Sequence, residues 1–262
     1  DSKSHKAAHV VSAFASSMGI CFGQVKTEEK SNEITAIPEL LDLLEIKGHI
    51  VTIDAMGCQK KIAEKIVGKK ADYLFSLKGN QEKVHEDVKE FFSHELDEKY
   101  CGRYKIQSLS CGVEKDHGRI ERREYYLCTN LRWLEEKAEW KNLGAIGMVR
   151  SYRMTKDGES TENRYFITSL KDVKLAAKAM RAHWSIENNL HWVLDTVFDE
   201  DYCRVRKNNS AQNLNIIRKL VMNHLKGIEL PIVTRKKSLT IGNKLTLCSQ
   251  NENCLLYALQ QL

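Results

Sequence analysis

The spacing of apolar and polar positions changes character twice along this chain, and each change marks a different kind of structure. Residues 9–14 (HVVSAF) and 20–25 (ICFGQV) are short β-type runs around Met18-Gly19, and they predict a hairpin. From 34 to 98 the pattern alternates between helical and strand periods. Asn32 or Thr35 caps a helix running to about Ile46 with Pro38 in its first turn. HIVTIDAMG (49–57) follows as an apolar strand, 58–70 as a helix, ADYLFSL (71–77) as a second strand, KGNQ (78–81) as a turn and 82–98 as a helix. That order predicts a parallel sheet covered by helices. In such sheets functional groups gather beyond the carboxyl ends of the strands.

From about Tyr104 to Leu170 the period becomes two. YKIQSLS, GRIERREYYLCTN, GAIGMVRSYRMT and NRYFITSL are separated by Gly, Asn and Asp turns. They predict either an antiparallel insert or a continuation of the sheet. Arg119, Arg122, Arg123, Arg150, Arg153 and Arg164 lie among Tyr125, Tyr126, Tyr152 and Tyr165, a mixture suited to phosphate contact and base stacking and equally to a solvated sheet face.

Helical spacing returns after Ser169 or Asp172 and runs to about Asp195, and a further helix is expected at roughly 211–226. In HWSIENNLHWVLDTVFDED (183–201), at about 100° per residue, Ile186, Leu190, Val193, Leu194 and Val197 share one arc. Glu187, His191 and Asp195 line the neighbouring arc, beside Trp184 and Asn188. This predicts a docked helix whose other side offers two carboxylates and an imidazole, or else is simply a solvated polar face. Asp54 ends an apolar strand. It is either a cap for the next helix or a carboxylate placed for chemistry, because an unpaired buried charge costs several kcal/mol. The tail ends in a helical NENCLLYALQQL.

Composition narrows the field. The 262 residues suit one large domain or a domain with an insert; 42% are hydrophobic and 29% charged, and only two are Pro, which excludes a disordered or linker-rich chain. No apolar run reaches the length of a membrane span, and without a signal peptide a cytoplasmic, nucleoid-associated location is expected. The eight Cys form no CxxC pair, so a zinc ribbon is not expected and the thiols should be reduced and mostly buried. A net charge of +6 permits a polyanionic partner without requiring one. The chain opens on Asp1 rather than Met and is expected to be part of a longer protein.

Six strings occur together in order: HVVSAFAS, GQVKTEEKSNEITAIPELLDLL, GHIVTIDAMGCQKKIAEKI, YLFSLKGNQ, DHGRIERRE and RAHWSIENNLHWVLDTVFDEDYCRVRKNNSAQNLNIIRKL. They resemble the transposases of the H-repeat-associated family, a branch of the bacterial DDE transposases of insertion sequences. The likeness covers nearly the whole chain and is weakest after about residue 228. It implies a ribonuclease-H-like α/β fold, a mixed sheet flanked by helices, with a β-rich insert before the last catalytic helix. It implies domains at 1–103 (core, first part), 104–170 (insert), 171–228 (catalytic and following helices) and 229–262 (tail).

The resemblance further implies two Mg²⁺ or Mn²⁺ ions held by three acidic residues, with Asp54 in TIDAMGC at the second position and Glu187 in HWSIEN at the third. The reaction implied is hydrolysis at element ends followed by attack of the freed 3′ hydroxyl on target DNA. The partners implied are double-stranded DNA, as terminal inverted repeats and target, and a second copy in a dimeric DNA complex. The family's first Asp lies in an Asp-Gly-Lys type string well before HVVSAF. Asp1-Ser2-Lys3 is too close to His9 and lacks the Gly, so the first ligand is expected outside this chain and the chain alone is expected to be inactive. Lys78, Asn80, Gln81, His117, Arg119, Arg122, Arg123, Arg181, His183, Asn188, His191, Asp195, Arg204 and Arg206 are expected to contact DNA or support the metal ligands, against the alternatives of plain turns, helix packing and a solvated hairpin.

Overall fold

The computed structural model describes residues 9–27, 33–97, 102–116, 119–156, 158–205, 207–231 and 239–262. His117 and Arg206, both expected to touch DNA, lie outside the described residues. The chain forms two compact units: one spans Glu33–His183, and the other combines Asp1–Asn32 with Trp184–Leu262.

The continuous unit is built on a mixed sheet. β3 (Ile50–Ile53) pairs in parallel with β4 (Asp72–Leu77), the two joined through α2 (Lys60–Gly68). β4 then pairs antiparallel with β9 (Gly158–Thr168), and the sheet continues through β8 (Ala145–Thr155) and β7 (Arg119–Cys128) to β5 (Ile106–Ser110), with β6 (Glu114–Asp116) also on β7. The strands after residue 104 therefore continue the parallel pair as one sheet. β4 buries side chains on both faces, Tyr73, Phe75 and Leu77 on one and Leu74 on the other. α1 (Glu33–Leu43) and α3 (Glu82–Glu95) complete the helices flanking this sheet. α1 buries Ala36, Ile37, Leu40 and Leu41, ends three residues before Ile46, and carries Pro38 inside the helix rather than in its first turn.

In the discontinuous unit, β1 (His9–Ala15) and β2 (Ile20–Thr27) form the expected hairpin, turning through Gly19 at φ +67°. α6 (Ser210–Gly227) grips that hairpin with two residues one helical turn apart. The Asn223 Nδ2 amide donates to the Cys21 carbonyl at 2.7 Å, and its Oδ1 accepts from the Cys21 N–H at 2.9 Å. The Lys219 ammonium, 6% exposed, donates to Ser12 Oγ at 2.6 Å and Gln24 Oε1 at 2.7 Å. Burial holds the pKa of Lys219 below the usual lysine value. α7 (Ile241–Gln250) and α8 (Glu252–Gln260) form the helical tail; each starts on a side-chain cap, Thr240 Oγ1 and Asn251 Oδ1 respectively.

The predicted long helix is not uniform. α4 (Val173–Ile186) passes into a π turn, Glu187–His191, before α5 (Trp192–Val197) resumes the α period. A π turn leaves a carbonyl short of its α partner. Here the Asn189 side-chain amide donates to the Ser185 carbonyl at 2.9 Å. The predicted apolar arc keeps its role: Leu190, Val193 and Leu194 are buried against Met222, with Phe14, Cys21, Ile186 and Val197 around them. Among the described residues the cysteines are unbridged, Cys58, Cys128, Cys248 and Cys254 being buried, and no helix is long and apolar enough to cross a membrane.

Candidate functional site

Asp54 stands at the carboxyl end of β3, where the chain leaves the sheet into a single 3₁₀ turn, Ala55–Gly57. Its backbone is extended and its side chain makes no cap hydrogen bond to that turn, so capping is not its role. The side chain is 81% exposed. Behind it lies His183 of α4, whose ring is only 14% exposed. The two ring nitrogens are both engaged: Nε2 lies 3.0 Å from Asp54 Oδ1 and Nδ1 lies 3.1 Å from Thr52 Oγ1. A carboxylate can only accept, so Nε2 carries the hydrogen. The Thr52 hydroxyl then donates to Nδ1 when the ring is neutral. Thr52 and Asp54 are two residues apart at the end of β3, and the ring bridges both.

The turn after β4 reaches the same place from the neighbouring strand. Asn80 Nδ2 donates to the Ala55 carbonyl, and Gln81 Nε2 donates to the Cys58 carbonyl at 2.9 Å. Both amides thus hold protein main chain, while Lys78 is exposed.

Glu187 belongs to the other unit. It opens the π turn and is exposed, as are Asn188 and His191, and Asp195 is half-buried. Burial, followed by the negative charges of Asp201 and Glu200, pushes the Asp195 carboxyl above the ordinary carboxylate range. Arg204 is exposed in the segment after α5. Within neither unit do three or more described His, Cys, Asp or Glu side chains gather as a group that could hold a metal ion.

The arginines expected to grip DNA are drawn into the protein to different degrees. Arg119, Glu121 and Arg123 alternate along β7, and Glu121 is buried. Arg123, its side chain 14% exposed, pairs with Glu121 at 2.8 Å and with Glu114 at 2.9 Å. Arg153 and Arg119 complete the ring around Glu121 at 3.5 and 3.8 Å. Arg181 of α4 bonds Glu114 at 2.6 Å, and with Arg123 it holds the Glu114 carboxyl below the usual range. Arg122 differs, for it is 47% exposed, pairs loosely with Glu124 at 3.4 Å and lies 4.4 Å over the Tyr152 ring.

We therefore expect Arg123→Ala to destabilise the protein by about 2 kcal/mol, because it strips charged hydrogen bonds from a buried Glu. Arg122→Ala should cost less than about 1 kcal/mol. Urea denaturation of both variants checks the contrast, and equal midpoints would show that the Glu121 ring contributes nothing.

Sequence reasoning missed Thr52, Glu114 and Glu121 as partners of these residues. The period of two put Thr52 on the side of Asp54, and Glu121 on the side of Arg119 and Arg123, so that signal was present in the strand pattern.

Comparison with known proteins supplies the remaining context. Residues 1–224 match the family described as a transposase DDE domain. The chain is 46% identical over 227 residues to the Escherichia coli O157:H7 protein named "Putative transposase YncI", covering 84% of this chain and 56% of that one. It is 42% identical over 231 residues to the Escherichia coli K12 protein named "H repeat-associated putative transposase YhhI", covering 86% and 60% respectively. The chain thus spans less than two thirds of the length of these relatives. Among solved structures, a piggyBac transposase synaptic complex with hairpin DNA matches 97% of this chain and 46% of that one at 9% identity and a TM-score of 0.43. On its sequence match this chain belongs to the transposase DDE domain family, with H-repeat-associated transposases among its relatives.

Proposed function

We propose that this chain supplies Asp54 and Glu187 to a divalent-metal site that cuts the ends of an insertion sequence and joins them to target DNA, on a ribonuclease-H-like core in which residues 104–170 extend the catalytic sheet as a β-rich insertion. The observation that carries the reading is Asp54: an exposed carboxylate at a strand's carboxyl end, free of any capping duty, backed by an imidazole that is itself anchored on the same strand. Carboxylate oxygens are the hard donors that Mg²⁺ and Mn²⁺ take, so the residues fit the ions expected of the family. Two such ions, when bound, supply Lewis acidity and charge neutralisation at the scissile phosphate.

The chain's own residues do the rest. His183 turns the Asp54 carboxylate by holding Oδ1, and Thr52 holds His183. Glu187 presents a second carboxylate from a π turn in which the Asn189 side-chain amide holds the Ser185 carbonyl. Exposed Arg122 and Arg204 carry charge to the phosphate backbone, which is where non-specific affinity for DNA arises. The reaction class is phosphoryl transfer: water attacks phosphorus and releases a 3′ hydroxyl, which then attacks a target phosphodiester and displaces its 3′ oxygen. Two copies act on one DNA complex, one at each element end.

The test uses the reading frame containing this chain and a plasmid carrying the element. Nicks at the element ends with Mg²⁺ or Mn²⁺, none in chelator, and joined products afterwards are expected. Nicking without joining would make the protein a nuclease, and binding without any divalent-dependent nicking would sink the catalytic reading.

A further inference from the structure

β3 and β4 are parallel neighbours with Ile53 opposite Phe75, so the chain leaves both strands at the same end of the sheet. The turn after β3 has little of its own to hold it. Two backbone bonds close it, Gly57 N–H to the Asp54 carbonyl and Cys58 N–H to the Ala55 carbonyl, both at 3.0 Å, with one exposed side-chain bond from Gln59 Nε2 to the Met56 carbonyl at 3.3 Å, and isolated 3₁₀ turns have poor hydrogen-bond geometry. It is nevertheless seated tightly: a Cβ on Gly57 would lie 2.3 Å from Ile53 Cγ2 and 2.8 Å from Ile37 Cδ1. Asn80 and Gln81 take hold of its two ends, at the carbonyls of Ala55 and Cys58. Neither side chain fills a core, since Asn80 is exposed and Gln81 half-buried. What each contributes is an amide donor aimed at the main chain.

We propose that Asn80 and Gln81 are positioning residues that clamp the turn after β3 and thereby set where the Asp54 carboxylate stands. They act on the main chain after the carboxylate, whereas His183 acts on the carboxylate itself. This rests on the reading of Asp54 as a functional ligand, but the clamp can be tested without it.

Cys58 reports on the clamp. It is fully buried at the end of the turn, and burial pushes its thiol up to about 12, so alkylation requires the turn to open. Cys128 is equally buried in the same unit and reports on unfolding at large. In the full chain, Asn80→Ala, Asn80→Asp (same shape, no amide donor) and Gln81→Ala should each speed iodoacetamide labelling of Cys58 by about 5- to 10-fold, the scale of one lost hydrogen bond, with Cys128 unchanged. Unchanged Cys58 rates, or Cys58 and Cys128 rising together, would overturn the clamp.

The second arm uses Mn²⁺ alone, with the free ion followed by electron paramagnetic resonance and Asp54→Asn as reference. The Asn80 and Gln81 variants should bind Mn²⁺ about 10-fold more weakly than the parent chain. Wild-type Mn²⁺ affinity in variants whose Cys58 is loosened, with Asp54→Asn weakened, would overturn the positioning role. Wild-type affinity in Asp54→Asn would instead defeat the ligand reading of Asp54, and the thiol rates would still decide the clamp.

Discussion

Asp54→Asn and Glu187→Gln should each reduce strand cleavage by the full-length protein by roughly 10²- to 10³-fold, the scale on which losing a group that stabilises transition-state charge lowers turnover. Neither should disturb the fold. Asp54 is 81% exposed, its pairing with His183 is at the surface, and its side chain caps nothing, so the substitution removes a carboxylate charge and little packing. Glu187 is exposed as well, and Gln has a similar shape and helix propensity. DNA affinity should hold or rise in Glu187→Gln, because a negative charge near the phosphates disappears. Cleavage rates with Mg²⁺, read beside mobility shifts over a salt series, check both halves. A variant retaining more than a tenth of the parent rate would remove that residue from the proposed metal site.

Leu190→Ala should destabilise the discontinuous unit by about 3 kcal/mol, within the usual range for a buried leucine. Leu190 is fully buried and sits in the π turn between Glu187 and α5, packed with Val193, Leu194 and Met222. Its removal leaves a cavity under the turn that carries Glu187. Leu190→Met, which keeps the volume, should cost less than about 1.5 kcal/mol. Denaturant midpoints of the two variants separate these cases. Equal midpoints for Ala and Met would mean that the turn is held by its own hydrogen bonds, such as Asn189 to Ser185, rather than by the leucine.

How far the sequence could be read depended on whether one periodicity governed each stretch. ADYLFSL carries three successive apolar residues, Tyr73 to Phe75, because a strand covered on both faces there has no polar side to show, and it was legible as β4 for that reason. The apolar arc from Ile186 to Val197 was legible because those side chains all face one core. The π turn was not, since a 100° template presumes the i to i+4 bond that Glu187–His191 abandons; the Asn-Asn pair within it is the only compositional trace. Arg123 looked like a phosphate grip because arginines were read as a class. Its neighbour two residues away on the strand gives it a partner within the protein: Glu121 shares its face, is buried and pairs with it at 2.8 Å. Asn80 and Gln81 stood out in the turn KGNQ, but their amides meet carbonyls that only the parallel pairing of β3 and β4 brings within reach.

The discontinuous unit also sets an order of events during synthesis. Cys21 and Asn223 bond each other across 202 positions of sequence. At translation speeds of about 5–20 residues per second, the hairpin waits roughly ten to forty seconds for α6 to exist. During that wait the whole of Glu33–His183 has already been made, as one uninterrupted stretch with its own core. Once that stretch has folded, joining the hairpin to α6 no longer closes a free loop of its full length, whose entropy rises with the logarithm of the residues enclosed. A nascent chain stalled short of α6 should therefore protect residues 33–183 from protease while leaving the hairpin open to cleavage.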